Sequence, residues 1–157
     1  MYPAMNNIKS IQEIIKFYKS GGTLAALTSM TQQDLNVLHG YAYNTFQAGD
    51  FTTARNIFML LSYLEHWNYD YTLSLGICHQ RLADHEDAQL CFARCATLIM
   101  QDPRAPYYAG ISYALTKNNV MAKKAFKACL LWCNGKEEYK SIEDSAKKLL
   151  KDCKEKT

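Results

Sequence analysis

A small residue and a phenylalanine stand four positions apart in three stretches of the chain: FTTARNIF at 51–58, HEDAQLCF at 85–92 and NVMAKKAF at 119–126. The step between copies is 34 residues both times, in Ala54, Ala88 and Ala122 and again in Phe58, Phe92 and Phe126. A second small series, Ala42, Gly76 and Gly110, keeps the same step. A constant period of this length dictates an array of like units rather than a single irregular core. Where two antiparallel helices cross closely, only Gly or Ala fits, and a large neighbour fills the gap beside it. Two small positions per period therefore predict a helical hairpin as the unit.

A 34-residue helix–turn–helix with Ala and Phe in phase is the mark of the tetratricopeptide repeat. Turn and cap residues divide it consistently. Thr31 with Asp34 three residues on forms a capping-box variant, Gly49 and Asp50 make a corner, and ADHED at 83–87 and KNN at 117–119 repeat that corner, the latter with Asn. Asp102 is read as a cap with Pro103 in the first turn. The expected helix pairs are 31–48 with 51–65, 69–82 with 85–100, and 103–116 with 119–134. A helix over 8–20 precedes them and one over 137–153 follows, apolar at Tyr139, Ile142, Ala146, Leu149 and Leu150. No strand pattern appears. The expected fold class is all-α: a solenoid of three tetratricopeptide helix pairs with an N-terminal helix and a C-terminal capping helix. The expected organisation is an N-terminal helical segment at 1–30, three repeats at 31–134, and a capping helix with tail at 135–157.

At 48% hydrophobic and 21% charged residues the chain can bury a core. Its formal charge of +3 is weak and its lysines are interleaved with acids, which argues against a nucleic-acid surface. Neither a signal peptide nor a run long enough to cross a membrane is read, so the expected address is the cytoplasm, without direct membrane binding. Among the six cysteines, Cys91 with Cys95 and Cys129 with Cys133 are four apart, a helical spacing. Cys95 and Cys129 also fall where Leu61 sits in the first unit. Buried, reduced thiols are the expectation, rather than a zinc set or a redox centre.

No catalytic motif is found, and His39, His66, His79 and His85 lack carboxylate partners at useful spacing. The chain reads as a binding protein with no cofactor, not an enzyme. In such an array the first helices line a concave groove. Counting from Leu35, Tyr69 and Pro103, positions two, five, nine, twelve and thirteen turn inward. They are Asn36, His39, Tyr43, Phe46 and Gln47; then Asp70, Leu73, Ile77, Gln80 and Arg81; then Arg104, Tyr107, Ile111, Ala114 and Leu115. An apolar, aromatic centre of this kind marks a partner site, with packing between repeats as the alternative for any single residue.

The stretches GGTLAAL at 21–27, YAYNTFQAGDFTTARNIFMLL at 41–61, LEHWNYDYTLSLGICHQ at 64–80 and QDPRAPYYAG at 101–110 resemble the class II chaperones of bacterial type III secretion. The resemblance implies a protein that binds an extended segment of a membrane-active translocator (SseC-like) in its concave groove and keeps it soluble before export, without ATP. It implies groove positions at Tyr43, Phe46, Phe51, Leu73, Ile77 and Tyr107, to which the helix phase adds His39, Gln80 and Ile111. His39 stands where relatives tend to have Tyr. The resemblance further implies a homodimer through the N-terminal helix, for which Ile8, Ile11, Ile15 and Tyr18 are available, with packing on the first repeat as the equal alternative. A regulatory protein partner is compatible with this, and an adaptor or regulator without chaperoning is the second reading. A carboxylate clamp of Lys and Asn is absent, because its two positions hold His39 and Tyr43.

Overall fold

The computed structural model describes residues 10–155, which form helices joined by short turns. They are α1 (Ile11–Lys19), α2 (Leu24–Leu27), α3 (Gln32–Gln47), α4 (Phe51–Leu64), α5 (Tyr69–Arg81), α6 (His85–Leu98), α7 (Arg104–Leu115), α8 (Asn119–Cys133) and α9 (Lys140–Glu155). A 3₁₀ turn at Glu137–Tyr139 leads into α9. Consecutive helices from α3 to α9 pack as neighbours, so the core is a row of interfaces rather than one central cluster. The architecture is all-α and tetratricopeptide-like.

The small positions do what their spacing requires. Ala42, Ala54, Ala88 and Ala122 are fully buried. A Cβ on Gly76 would come within 2.6 Å of the Phe92 ring, and one on Gly110 within 2.6 Å of the Phe126 ring. Glycine is the only residue that lets α5 approach α6, and α7 approach α8, this closely. Leu61, Cys95 and Cys129 occupy one repeat position and are all fully buried, the thiols standing in for an aliphatic side chain.

The corner after each first helix closes identically three times. Gly49, Ala83 and Lys117 take left-handed φ values of 86°, 64° and 61°. The next residue's N–H (Asp50, Asp84, Asn118) then donates back to the carbonyl of Thr45, His79 or Tyr113. The third corner corrects the expectation that Asn takes the turn: Lys117 holds the left-handed conformation, and the Asn118 side chain caps α8 by accepting from Met121 N–H. At the start of α3, Thr31 and Asp34 form the full capping box. Helix α7 starts one residue later than expected, at Arg104, yet Asp102 still accepts its N–H at 2.9 Å.

Ahead of the first repeat, a second short helix, α2, was not legible in the sequence. Thr23 caps it, and its hydroxyl also donates to Glu65 at 2.8 Å. Ala25 and Leu27 are buried, and Ala25 joins the cluster of Leu35, Phe58 and Leu61. At the other end α9 packs on α8 and α7 through Ile142, Ala146, Leu149 and Cys153, with Lys147, Lys148 and Lys151 facing solvent. The step of 34 carries Leu35, Tyr69 and Pro103 on to Glu137, so α9 lies where the first helix of a fourth unit would start.

Candidate peptide groove

The first helices α3, α5 and α7 present the concave side. A cavity of about 350 Å³ opens there, lined by Tyr43, Phe46, Gln47, Phe58, Ser74, Ile77, Gln80, Arg81 and Tyr108. Its wall is apolar and aromatic, with polar groups at the edge, the composition of a site that takes an apolar group and orients it. Tyr43 is 54% exposed and its ring stands free at the entrance. Phe46 meets Phe51 edge-on at 5.1 Å between centroids, which fixes the Phe46 ring as one wall. The Arg81 guanidinium lies 4.5 Å from the Phe51 ring centre and 5.9 Å from that of Phe46.

Tyr43, Phe46, Ile77 and Gln80 are thus brought together. Phe51 supports the wall from behind. His39, Leu73 and Tyr107, which share position five of the three units, have a different fate: each turns toward the next first helix. His39 packs on Tyr71 with centroids 5.6 Å apart. Leu73 is 6% exposed and belongs to the core with Phe92 and Ala105. The Tyr107 hydroxyl is hydrogen-bonded to Ser145 Oγ of α9 at 2.8 Å. Ile111 packs into the cluster between α7 and α9 and borders a separate cleft there with Leu149 and Cys153. Position six supplies lining residues instead, Ser74 and Tyr108, together with Phe58 from α4; counting inward positions did not single these out.

Polar contacts fix the angle between the second and third units. Gln80 Nε2 donates to the Tyr108 carbonyl at 3.0 Å and to the fully buried Ser112 Oγ at 2.7 Å. At the rim, Arg104 grips both Asp102 oxygens, at 2.7 Å through one terminal nitrogen, and reaches Asp70 at 2.8 Å. Burial alone would raise the Asp102 pKa, but the Arg104 hydrogen bonds and charge outweigh it and hold the carboxyl below its usual range. That network pins α7 to α5 and leaves Asp70 and Arg104 engaged.

On α1, Phe17 is buried while Ile11, Ile15 and Tyr18 are exposed, Ile11 at 73%. Ile8 lies outside the described residues. Among the described residues no three His, Cys, Asp or Glu side chains come together as a metal ligand set, and no helix is long and apolar enough to cross a membrane.

The tetratricopeptide repeat family matches residues 35–68. Low calcium response locus protein H of Yersinia pestis is 31% identical over 93 residues, covering 59% of this chain and 55% of that protein. The chain therefore spans about half the length of the curated relative it matches. A type III secretion complex from Aeromonas hydrophila contains a chain of the same fold, with a TM-score of 0.89 and 28% identity over 92% of this chain and 97% of the other. The translocator chaperone SycD of Yersinia enterocolitica shares the fold with a TM-score of 0.80 at 24% identity, over 83% of this chain and 98% of the other. PcrH of Pseudomonas aeruginosa, solved with the chaperone binding region of PopB, aligns with a TM-score of 0.74 at 25% identity over 77% of this chain and 98% of the other. With its repeat period and its stacked hairpins, the chain has the tetratricopeptide-like fold and is similar to the translocator chaperones of type III secretion.

Proposed function

We propose that this chain binds an extended segment of a membrane-active, SseC-like translocator in the groove between α3, α5 and α7, and keeps that protein soluble in the bacterial cytoplasm before secretion. The observation that carries this reading is the open apolar cavity walled by Tyr43, Phe46 and Ile77. PcrH, which has the same fold, was solved in complex with the chaperone binding region of PopB. A segment burying on the order of 400 Å² of apolar surface gains about 10 kcal/mol at ~25 cal/mol/Å². Association and ordering costs remove several of these, leaving roughly micromolar binding from the groove alone. Covering the apolar segments of a membrane-active protein in this way shifts it from aggregation to the bound, soluble form by mass action.

The exposed apolar side of α1 supports a homodimer contact through Ile11, Ile15 and Tyr18. The groove is tested by co-expressing the chain with apolar secreted translocators and recovering the complex. Tyr43→Ala combined with Phe46→Ala is expected to leave the helical spectrum intact and to abolish recovery of the partner. Undiminished recovery with this double variant overturns the groove as the binding site.

A further inference from the structure

Arg81 stands at the rim of the cavity in an unusual electrostatic position. It is exposed, it lies over the Phe51 and Phe46 rings, and among the described residues no carboxylate comes within ion-pair distance of it. The other arginine on this side, Arg104, is saturated by Asp102 and Asp70. Stacking uses only the face of a guanidinium and leaves its in-plane N–H donors pointing outward. Those donors border a pocket walled mainly by Tyr43, Phe46, Phe58, Ile77 and Tyr108, with Gln47, Ser74 and Gln80 at its edge and no carboxylate in its lining, so an entering chain that displaces water from them must supply an acceptor.

We propose that Arg81 sets the charge of the occupant: the segment taken by the groove carries an Asp or Glu within two residues of the large apolar side chain that fills the cavity. The inference rests on the peptide-groove reading above and adds the chemistry of the partner. In an extended chain, side chains two apart point the same way about 6.6–7 Å from each other. The Arg81 guanidinium lies 5.9 Å from the Phe46 ring, a wall of the cavity, which is within reach of a side chain two residues from the one that fills it. A planar guanidinium takes a carboxylate through two parallel hydrogen bonds, and repels Lys or Arg at the same place. A volume near 350 Å³ suits one large side chain with part of its backbone, which leaves the neighbouring side chain at the rim.

The experiment is a selection from a library of displayed twelve-residue peptides on the full chain, in parallel with Arg81→Glu and with Tyr43→Ala/Phe46→Ala. Each variant is first checked for an unchanged helical spectrum. Asp or Glu beside an apolar anchor is the expected enrichment on the native chain, and Lys or Arg at the same spacing on Arg81→Glu. A selected peptide, acetylated and amidated so that only its side-chain carboxylate remains, should bind about threefold to fivefold more weakly after Glu→Gln, and Arg81→Ala should erase that difference. This peptide comparison stands even where Arg81→Glu does not fold. Apolar peptides selected with no acidic preference, or a Glu→Gln difference that survives in Arg81→Ala, overturn this inference while leaving the groove in place. Selection that fails altogether, or that is unaffected by Tyr43→Ala/Phe46→Ala, removes the groove reading and this inference with it.

Discussion

Gln80 Nε2 and Ser112 Oγ meet at 2.7 Å across the α5–α7 boundary, and Ser112 has no other access to solvent. One amide thereby satisfies a buried hydroxyl and a backbone carbonyl on the neighbouring unit. Replacing Gln80 by Leu keeps the bulk but strands the hydroxyl, at a cost of about 1–3 kcal/mol. Urea unfolding followed by circular dichroism should show this loss, and Ser112→Ala in the Gln80→Leu background should recover part of it. A purely additive pair would mean that the two side chains do not act on each other.

Gly110 tests the packing logic of the repeat. A methyl group there lies 2.6 Å from the Phe126 ring, which is itself fully buried and has nowhere to go. Gly110→Ala is expected to destabilise the fold by about 1–3 kcal/mol, despite the better helix propensity of Ala. Phe126→Leu should restore part of that in the double variant, as read by the melting temperature.

The thiols predict an alkaline limit. Burial pushes Cys78 and Cys95 up to about 12 and Cys91 up to about 11. The unfolded chain ionises these thiols near their ordinary value of 9.0, so above that pH it binds fewer protons than the native state. Stability is therefore full below about pH 9 and falls progressively as pH rises toward the folded values. Urea midpoints measured from pH 7 to pH 11 should decline over the upper half of that range, and replacing Cys78 and Cys95 by Ala should flatten the decline. In the native state at pH 8 a thiol reagent should modify Cys91, the half-buried one, ahead of Cys78, Cys95 and Cys129.

At the N-terminal end, Ile11→Asp places a charge on the exposed apolar side of α1 and touches no buried residue of that helix. Sizing chromatography with light scattering should show a shift from dimer to monomer, with an unchanged melting profile at the concentration where both are monomeric. A dimer that persists unaltered places the contact elsewhere.

Much of this architecture was legible because a crossing of two helices tolerates few residue types. Ala54 and Phe58 announce a hairpin, and their return at 88 and 92 announces an array. The groove was harder to read for a physical reason. The phase of a helix tells which residues share a side, but not how far each hairpin tilts against the next. That tilt turns His39, Leu73 and Tyr107 onto the following helix and brings Ser74 and Tyr108 to the cavity wall. Helix α2 escaped because four residues are too few to show a period. The Asp102–Arg104–Asp70 network joins positions 34 apart through one long side chain, which no local pattern reveals.

The placement of α9 has an outcome for assembly. Helical arrays of like units are prone to grow by end-to-end addition, since each unbacked terminal surface imitates the one a neighbour would cover. Here α9 covers the apolar side of α7 and α8 and turns a charged surface outward, with Lys140, Lys147, Lys148 and Lys151 beside Asp144 and Asp152, so a further copy finds little apolar surface to cover there. If copies meet through α1, as proposed above, the expected limit of association is a pair rather than a fibre.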